Sequence, residues 1–576
     1  MIRLTEMQVM DIENKMLHES NALESKFKAK SNKFIVESIL KNEKERYELA
    51  GYSEVRSTKR KVVMSKPKEV GVEFEDDVWC MFYKLGFRIL NKDENLRIQW
   101  GANSEDTQQL DVVAVGDDAI FVVECKAAST SLKGNFKNEL NKIEQYKEGV
   151  TDALQQIYGK KRVRFIFATR RYRIGDEDKQ RMINGGIFSL NDNSYDYICN
   201  LVKSYKESAI YQFYALMFRD ELINDETYKI PVLRGNMGGN KYYIFSIEPS
   251  ILLKIGFVLH RTRVNESMAP TYQRLLVPKR IPGITKFIDE GGYFPNSIII
   301  NFNSLCDATK VRFRPIKAET DSQSEFGFLT IPNAYGIAFI IDGQHRLYGY
   351  AQSKEKDNCT IPVVAFENMP SEEQLKIFMD INENQKAVSP SLRLDLVEDL
   401  CWNATNLDSR MKALRSSIIK NLSNDQNRVL YRKITIGEDI APLTLKPFDV
   451  ALGRSGLIPK ASKTQWSGDT DICIFNTNET DVEKAMRIAR EQITTYINSA
   501  YETADEKMDE ECKKTFLFSN RATYPFICLL GSLHAYLIKT NRITPNSSIS
   551  ERIVETQPYI VRLSEALNTL PEEEKT

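Results

Sequence analysis

Asp111, Glu124 and Lys126 stand in a stretch whose residue types and spacing could do chemistry. Residues 110–116 (LDVVAVG) and 119–127 (AIFVVECKA) are two β-branched runs joined through Asp117-Asp118, which predicts a hairpin. Glu124 and Lys126, two apart on a strand, share a face, and Cys125 points the other way. If Asp117-Asp118 is a two-residue turn, Gly116 pairs with Ala119, and counting back sets Asp111 opposite Glu124. Cross-strand Cβ atoms then lie about 4.5–5.5 Å apart. Two carboxylates that close raise each other's pKa unless a cation lies between them. A hard divalent ion, Mg²⁺ or Mn²⁺, is the natural occupant. Lys126 beside it could orient a water or stabilise charge on a phosphate in flight. Glu75, off the Phe74 face of the preceding helix, could reach the same place, and Gln145 on the following helix is a further candidate. The competing interpretation is a solvated hairpin face on which Glu124 and Lys126 form a surface pair of little energetic weight.

A second stretch, 341–350 (IDGQHRLYGY), reads as a strand ending in Asp342-Gly343 and a helix opening near Gln344. Such a junction leaves unpaired N–H groups at a helix N-terminus, where the dipole favours anions, and His345 and Arg346 could add charge to a phosphate there. The plainer alternative is an N-capped helix with Asp342 as the cap and Arg346 on a solvated face.

The elements that must position these residues follow from periodicity. From Val72 a helix places Phe74, Val78, Met81, Phe82 and Leu85 on one face. An amphipathic helix covers 137–158, with Ile143, Tyr146, Val150, Leu154 and Ile157 inward, and VRFIFA (163–168) is a strand. Helix, hairpin, helix, strand makes a compact α/β core. Upstream, residues 1–68 read as a charged helical arm and linker, with a helix over 34–50 and a basic stretch at 56–68. Residues 69–188 hold the hairpin core, and 189–237 are aromatic-rich helical connector. Over 238–395 strands and helices alternate, and 396–576 is mainly helical.

At 576 residues the chain is too long for one core. Hydrophobic content of 42% and charged content of 27% are those of an ordinary globular protein. No apolar run reaches the ~18–20 residues that span a bilayer, and the first residues carry no apolar signal core, so the expected location is the cytoplasm and no membrane partner is expected. Nine cysteines without CxxC spacing and four dispersed histidines argue against a disulfide framework and a zinc site. Lysine plus arginine equals aspartate plus glutamate, 79 each, so any nucleic-acid contact must come from local patches.

Residues 69–175 resemble the PD-(D/E)xK nuclease superfamily, and the Mrr-like restriction endonucleases in particular. The resemblance implies a restriction-endonuclease-like core with Glu75, Asp111, Glu124 and Lys126 as catalytic and metal-site positions, Asp111 and Glu124 holding the metal. DGQHR at 342–346 is the signature of the DGQHR-domain family, which includes the DndB-like proteins linked to DNA sulfur modification. That resemblance spans about 240–395 and includes Tyr272-Gln273-Arg274, the helix after Arg280, Phe294-Pro295-Asn296-Ser297 and INENQKAVSP at 381–390. The same order is similar to the ParB/sulfiredoxin superfamily, an α+β fold in which Gly343, His345 and Arg346 match a phosphate-binding motif.

Asp342, Gly343, Gln344, His345, Arg346 and Asn382 are then the nucleotide-binding candidates, with Arg274 and Gln385 as further ones. Aligned on the closing proline, Asn382 falls on the asparagine of a Glu-Asn-x-x-Arg motif, but Ile381 replaces its metal-binding glutamate and Gln385 its arginine. Sliding by two restores Glu383-Asn384 and leaves Ala387 at the arginine. This incomplete motif argues against a ParB-style metal-dependent CTP switch and leaves ATP, CTP or no nucleotide open.

The expectation is a multidomain α/β chain in which a Mg-dependent DNA endonuclease is coupled to a nucleotide- or modification-sensing DGQHR domain, in a setting of DNA modification or defence. Its partners would be DNA, a nucleotide and, in a homo-oligomer, a second copy. The alternatives are a non-cleaving DndB-like DNA-binding regulator that binds a nucleotide, and an NTPase working at 342–346.

Overall fold

A computed structural model describes residues 4–58, 60–93, 95–260, 273, 275–317, 321–385, 390–437 and 441–570, with the side chains of 382–393 outside the description. The uninterrupted apolar run AIFVV at 119–123 is buried at every position, as a strand covered on both faces must be. It opens the long strand Ala119–Lys133 inside a six-stranded mixed sheet. The strand order is Met16–Leu17, Ile89–Asn91, Val112–Val115, Ala119–Lys133, Arg162–Arg173, Phe188–Leu190. The first four pair antiparallel and the last two join in parallel. Parallel pairing needs a crossover, which the helix Lys137–Tyr158 supplies. That helix buries Leu140, Ile143, Tyr146 and Val150 in one cluster with Val113, Ile120, Val122 and Phe167. On the other face Val70–Lys84 packs Phe74, Val78 and Phe82 into a cluster with Phe121, Val123 and Ile166. The core is consistent with a restriction-endonuclease-like fold.

The N-terminal segment corrects the expectation of a helical arm. Phe34–Leu40 is a strand, followed by the short helix Lys44–Leu49, where a helix over 34–50 was anticipated. Its β-branched residues outweigh the surrounding helix formers because Ile39 pairs with Val62 and packs with Met64 in a small three-stranded sheet. The basic stretch supplies that sheet's central strand, Lys61–Pro67. Met16–Leu17 extends the six-stranded sheet, and the helix Ser20–Lys30 packs against Val70–Lys84, with Phe27 stacked on Tyr83 at 4.7 Å. Lys30 and Lys68 both close on Asp76, so this segment is part of the fold and not a free linker.

The second region is built on an eight-stranded sheet. Its order is Gly256–Phe257, Ala338–Asp342, Ile298–Phe302, Ile361–Glu367, Asn240–Ile247, Leu222–Met237, Glu325–Ala334, Arg312–Pro315. The long strand Leu222–Met237 occupies much of what was expected to be helical connector. It meets Asn240–Ile247 through Gly238-Gly239, both left-handed, the conformation a two-residue hairpin turn requires. The connector proper is the helix pair Asp192–Tyr205 and Ala209–Met217, whose Tyr197, Leu201 and Phe213 join the cores of both sheets into one cluster.

The C-terminal region is helical as anticipated, with long helices Leu407–Asn424, Val482–Lys507, Asn520–Lys539 and Ile549–Thr569 around their own core. It docks on the first region through Gln426, which donates to the Ile174 carbonyl at 3.1 Å, and through the Arg432–Asp196 ion pair. Among the described residues no helix is long and apolar enough to cross a membrane.

Candidate active site

The hairpin register is the one counted from the sequence. Gly116 N–H donates to the Ala119 carbonyl at 2.8 Å, and Val115–Ile120, Ala114–Phe121, Val113–Val122 and Val112–Val123 follow in turn. One step further sets Asp111 level with Glu124. The Asp111 carboxylate accepts from the Cys125 N–H at 2.8 Å, and its carbonyl accepts from Asn91 Nδ2 at 2.9 Å. A charge-assisted bond to a backbone amide fixes the carboxylate at the end of the hairpin.

Lys126 Nζ donates to Glu124 Oε1 at 2.7 Å. Burial works against the Lys126 charge, but the Glu124 carboxylate, reinforced by Asp111, outweighs it and holds the ammonium above its ordinary pKa. The Cys125 thiol is pushed far up by burial, then by the negative charges of Asp111, Glu75 and Glu124. Lys126 lowers the same thiol; the direct contacts are those of Lys126 with Glu124 and of Asp111 with the Cys125 N–H, and Glu75 acts on the site through its charge. Gln145 is exposed on its helix, while its neighbour Tyr146 is buried, its hydroxyl raised by burial and by Glu124 and Asp111. Periodicity marked Tyr146 only as core; its polar end carries no sequence signal.

Two further features were not legible. Thr169, level with Lys126 on the parallel strand, is 1% exposed, and its hydroxyl has no hydrogen-bond partner among the described residues. Arg170 pairs with Asp77 at 2.6 Å and lies 4.4 Å over the Phe74 ring.

Among the described residues no three His, Cys, Asp or Glu side chains gather into a closed metal cage. Two carboxylates across a strand pair fit a different ligand mode: a hydrated Mg²⁺ or Mn²⁺ held by one or two carboxylates, with water and substrate phosphate completing the shell. The donor chemistry at Asp111 and Glu124 suits that ion.

At the second candidate site the predicted residues are engaged with one another. Gly343 caps the helix Gln344–Tyr350 with φ +97°, and a Cβ there would meet Ile298 Cδ1 at 2.5 Å. Arg346 pairs with Asp342 at 2.8 Å and donates to the Asn296 carbonyl. Asp342 does not act as a side-chain cap. His345 Nε2 accepts from Val277 N–H at 3.3 Å; burial lowers its pKa, Arg280 adds to that and Asp342 opposes it, so the ring is neutral at pH 7. Gln344 is buried and faces inward. Asn382 and Gln385 lie on the helix Ser371–Gln385 with side chains outside the description, and Arg274 lies outside the described residues.

Comparison with known families decides what the two regions are. Residues 82–171 match the nuclease-related domain (NERD), and residues 230–424 match DndB, described as DNA-sulfur modification-associated. The chain joins a nuclease-related domain to a DndB domain. The first match contains Asp111, Glu124 and Lys126 and begins after Glu75; the second contains the whole DGQHR stretch. No curated protein and no solved structure matches the chain.

A buried polar chain runs from the connector into the DndB domain. Tyr197 and Tyr205 hydroxyls meet His260 Nδ1 and Nε2 at 2.8 and 2.6 Å, Tyr205 donates to Gln344 Oε1 at 3.2 Å, and Gln344 Nε2 donates to Gln273 Oε1 at 3.0 Å. Gln273 returns its amide to the Ile340 and Ile341 carbonyls, just ahead of DGQHR. Burial takes His260 down to about 3, so it is neutral in this chain.

Proposed function

We propose that the protein is a metal-dependent DNA endonuclease of the PD-(D/E)xK type, working in DNA modification or defence, with the DndB domain governing which DNA is cut or when. The observation that carries this is the hairpin register, which levels Asp111 with Glu124 and sets Lys126 against the same carboxylate. A hydrated Mg²⁺ or Mn²⁺ bound there would supply a water acidic enough to attack a phosphodiester. Asp111 and Glu124 hold the position and the negative charge that recruit the ion. Lys126, protonated, moves from Glu124 to the phosphate oxygens as negative charge builds on them. Glu75 adds to the field, and the buried hydrophobic strands beneath fix the backbone that carries these side chains.

In the DndB domain, a nucleotide phosphate at the junction would replace Asp342 as the partner of Arg346. ATP and CTP are the nucleotides to try. A second reading, a non-cleaving DNA-binding regulator, draws on the internal engagement of these same groups: Lys126 on Glu124 and Arg346 on Asp342.

The test is cleavage of modified and unmodified DNA by the purified protein with Mg²⁺ or Mn²⁺, with and without ATP or CTP. Parental cleavage lost in Glu124→Ala and Lys126→Ala supports the site. Equal cleavage by those variants removes it, and salt-sensitive DNA binding with no cleavage under any metal or nucleotide selects the second reading.

A further inference from the structure

A cavity of about 400 Å³ opens where the nuclease-related domain meets the C-terminal helices. Neither family match assigns it a role. Its floor is the far end of the strand that runs beside Lys126. Thr169 is level with Lys126, and Tyr172, which lines the cavity, lies three residues on, about 10 Å at ~3.3 Å per residue. Between them the pairing slips: from Ala127–Arg170 to Leu132–Tyr172 one strand advances five residues and the other two. Such an irregularity re-aims side chains. Here Arg171 takes a left-handed φ of +59°, and its N–H donates to Asp192 at 3.0 Å.

Arg171, Arg173, Lys179 and the carboxylate of Asp192 line the cavity; Lys179 pairs with Asp176 at 2.8 Å at the surface, and the Arg171 guanidinium donates to the Ser129 carbonyl at 2.7 Å. Arg173 Nε is buried and has no hydrogen-bond partner among the described residues. Tyr172, Phe188 and Tyr431 supply flat apolar surface, Tyr431 coming from the C-terminal region. Cationic and aromatic residues in one lining match a phosphate joined to a base, since stacking on aromatic faces is available to every base. The volume falls within the 300–1,000 Å³ of small-ligand pockets and cannot admit a duplex. Measured along a duplex axis, about 10 Å is about three base-pair steps of B-form rise at ~3.4 Å each.

We infer that this cavity takes a single nucleotide unit of the bound DNA strand, unpaired or turned out of the duplex, a few steps from the phosphodiester held at the hairpin. The position of the unit relative to the cut rests on the nuclease reading; the cavity's capacity for a nucleotide does not. Extruding a base costs a few kcal/mol, least for a damaged or already unpaired one, so a pocket of this kind selects among DNA substrates. Because Tyr431 and Gln426 belong to the C-terminal region, an occupied cavity would also clasp that region to the nuclease-related domain.

The experiment uses the full chain carrying Glu124→Ala, without metal, so that binding is measured apart from cutting. The probes are a single-stranded oligonucleotide containing 2-aminopurine, and free dAMP and ATP. Arg173→Gln with Lys179→Gln is expected to weaken oligonucleotide binding at least tenfold and to flatten its salt dependence. Ile183→Glu, at an exposed lining position, is expected to weaken it without touching the core. Lys160→Gln, outside the lining, is the control. If free nucleotide competes with the same sensitivity to these variants, the cavity takes its nucleotide from solution and the strand assignment falls. Parental binding by folded variants overturns the inference entirely. Cavity-dependent binding by a chain that never cleaves, tested with Glu124 intact, overturns the nuclease reading and leaves the cavity standing.

Discussion

Replacing Asp111 separates folding from chemistry because its carboxylate has two tasks. One oxygen accepts from the Cys125 N–H at 2.8 Å, and Cys125 is 6% exposed, so that amide has no ready access to water. Asp111→Asn keeps an oxygen acceptor and removes one negative charge facing Glu124. The bond weakens from charge-assisted to neutral, a loss of about 1 kcal/mol, and relief of the repulsion with Glu124 works against that loss. Asp111→Ala removes the acceptor and leaves a buried amide unpaired, which costs about 1–3 kcal/mol. Both variants lose half of the carboxylate pair. The expected outcome in single-turnover cleavage with Mg²⁺ is a loss of about 10²-fold or more in each, equivalent to about 2.7 kcal/mol or more in the barrier. Urea unfolding should show Asp111→Asn within about 1 kcal/mol of the parent and Asp111→Ala clearly below it. Cleavage by Asp111→Asn at the parental rate would refute the assignment, whatever its stability.

Other outcomes follow from burial and charge. Asp76→Ala strands Lys30 and Lys68, the latter 7% exposed, and should cost about 3–5 kcal/mol in denaturant unfolding, with the N-terminal sheet the first part to open to protease. Gly149→Ala would set a Cβ 1.9 Å from the Trp100 carbonyl oxygen, a backbone atom that cannot swing aside; about 1–3 kcal/mol of destabilisation is expected by thermal unfolding. His260 ionises at about 3 when folded against 6.5 when unfolded, so the unfolded chain binds the extra proton and stability falls as pH drops from 6.5 toward 3. From pH 6.5, where the unfolded imidazole is half protonated, to pH 5 the loss is about 1.6 kcal/mol at 1.36 kcal/mol per unit, and urea midpoints measured at both pH values check it.

What could be read from the sequence was set by how local the causes are. The 119–133 strand and its hairpin announced themselves because a continuous β-branched run, a two-residue turn and a strict period of two leave one register that buries the apolar set. That register alone put Asp111 with Glu124. The strand Phe34–Leu40 reads locally as a helix because its partners, Val62 and Met64, lie more than twenty residues on and outweigh local propensity only once paired. The strand Leu222–Met237 hid for a similar reason: Asp225, Glu226 and Pro231 mask an alternation that shows only at Ile230 and Val232, both buried. Gln344 shows the limit at the second site. Nothing local tells a DGQHR glutamine reaching for a ligand from one turned into a buried chain, because its partners Tyr205 and Gln273 are set by tertiary contacts.

The energetics of that second site indicate which part of it a ligand can move. The Asp342–Arg346 pair is 25% and 18% exposed, so it keeps an access to water that the buried chain lacks. The chain from Tyr197 through His260 and Tyr205 to Gln344 is buried throughout, and each broken link would leave a buried polar group at about 1–3 kcal/mol. A phosphate at the junction, as proposed above, would therefore displace Asp342 from Arg346 while the buried chain stays closed. The helix Asp192–Tyr205 carries both ends of the connection: Tyr205 faces Gln344, and Tyr195 lies against Arg170 and Phe74 beside the hairpin. With the buried chain holding its shape, displacement at the junction would reach the hairpin through movement of that helix or through Tyr335, whose hydroxyl donates to Asp118 in the hairpin turn at 3.1 Å, and the coupling is bounded by the differential affinity of the ligand for the two positions.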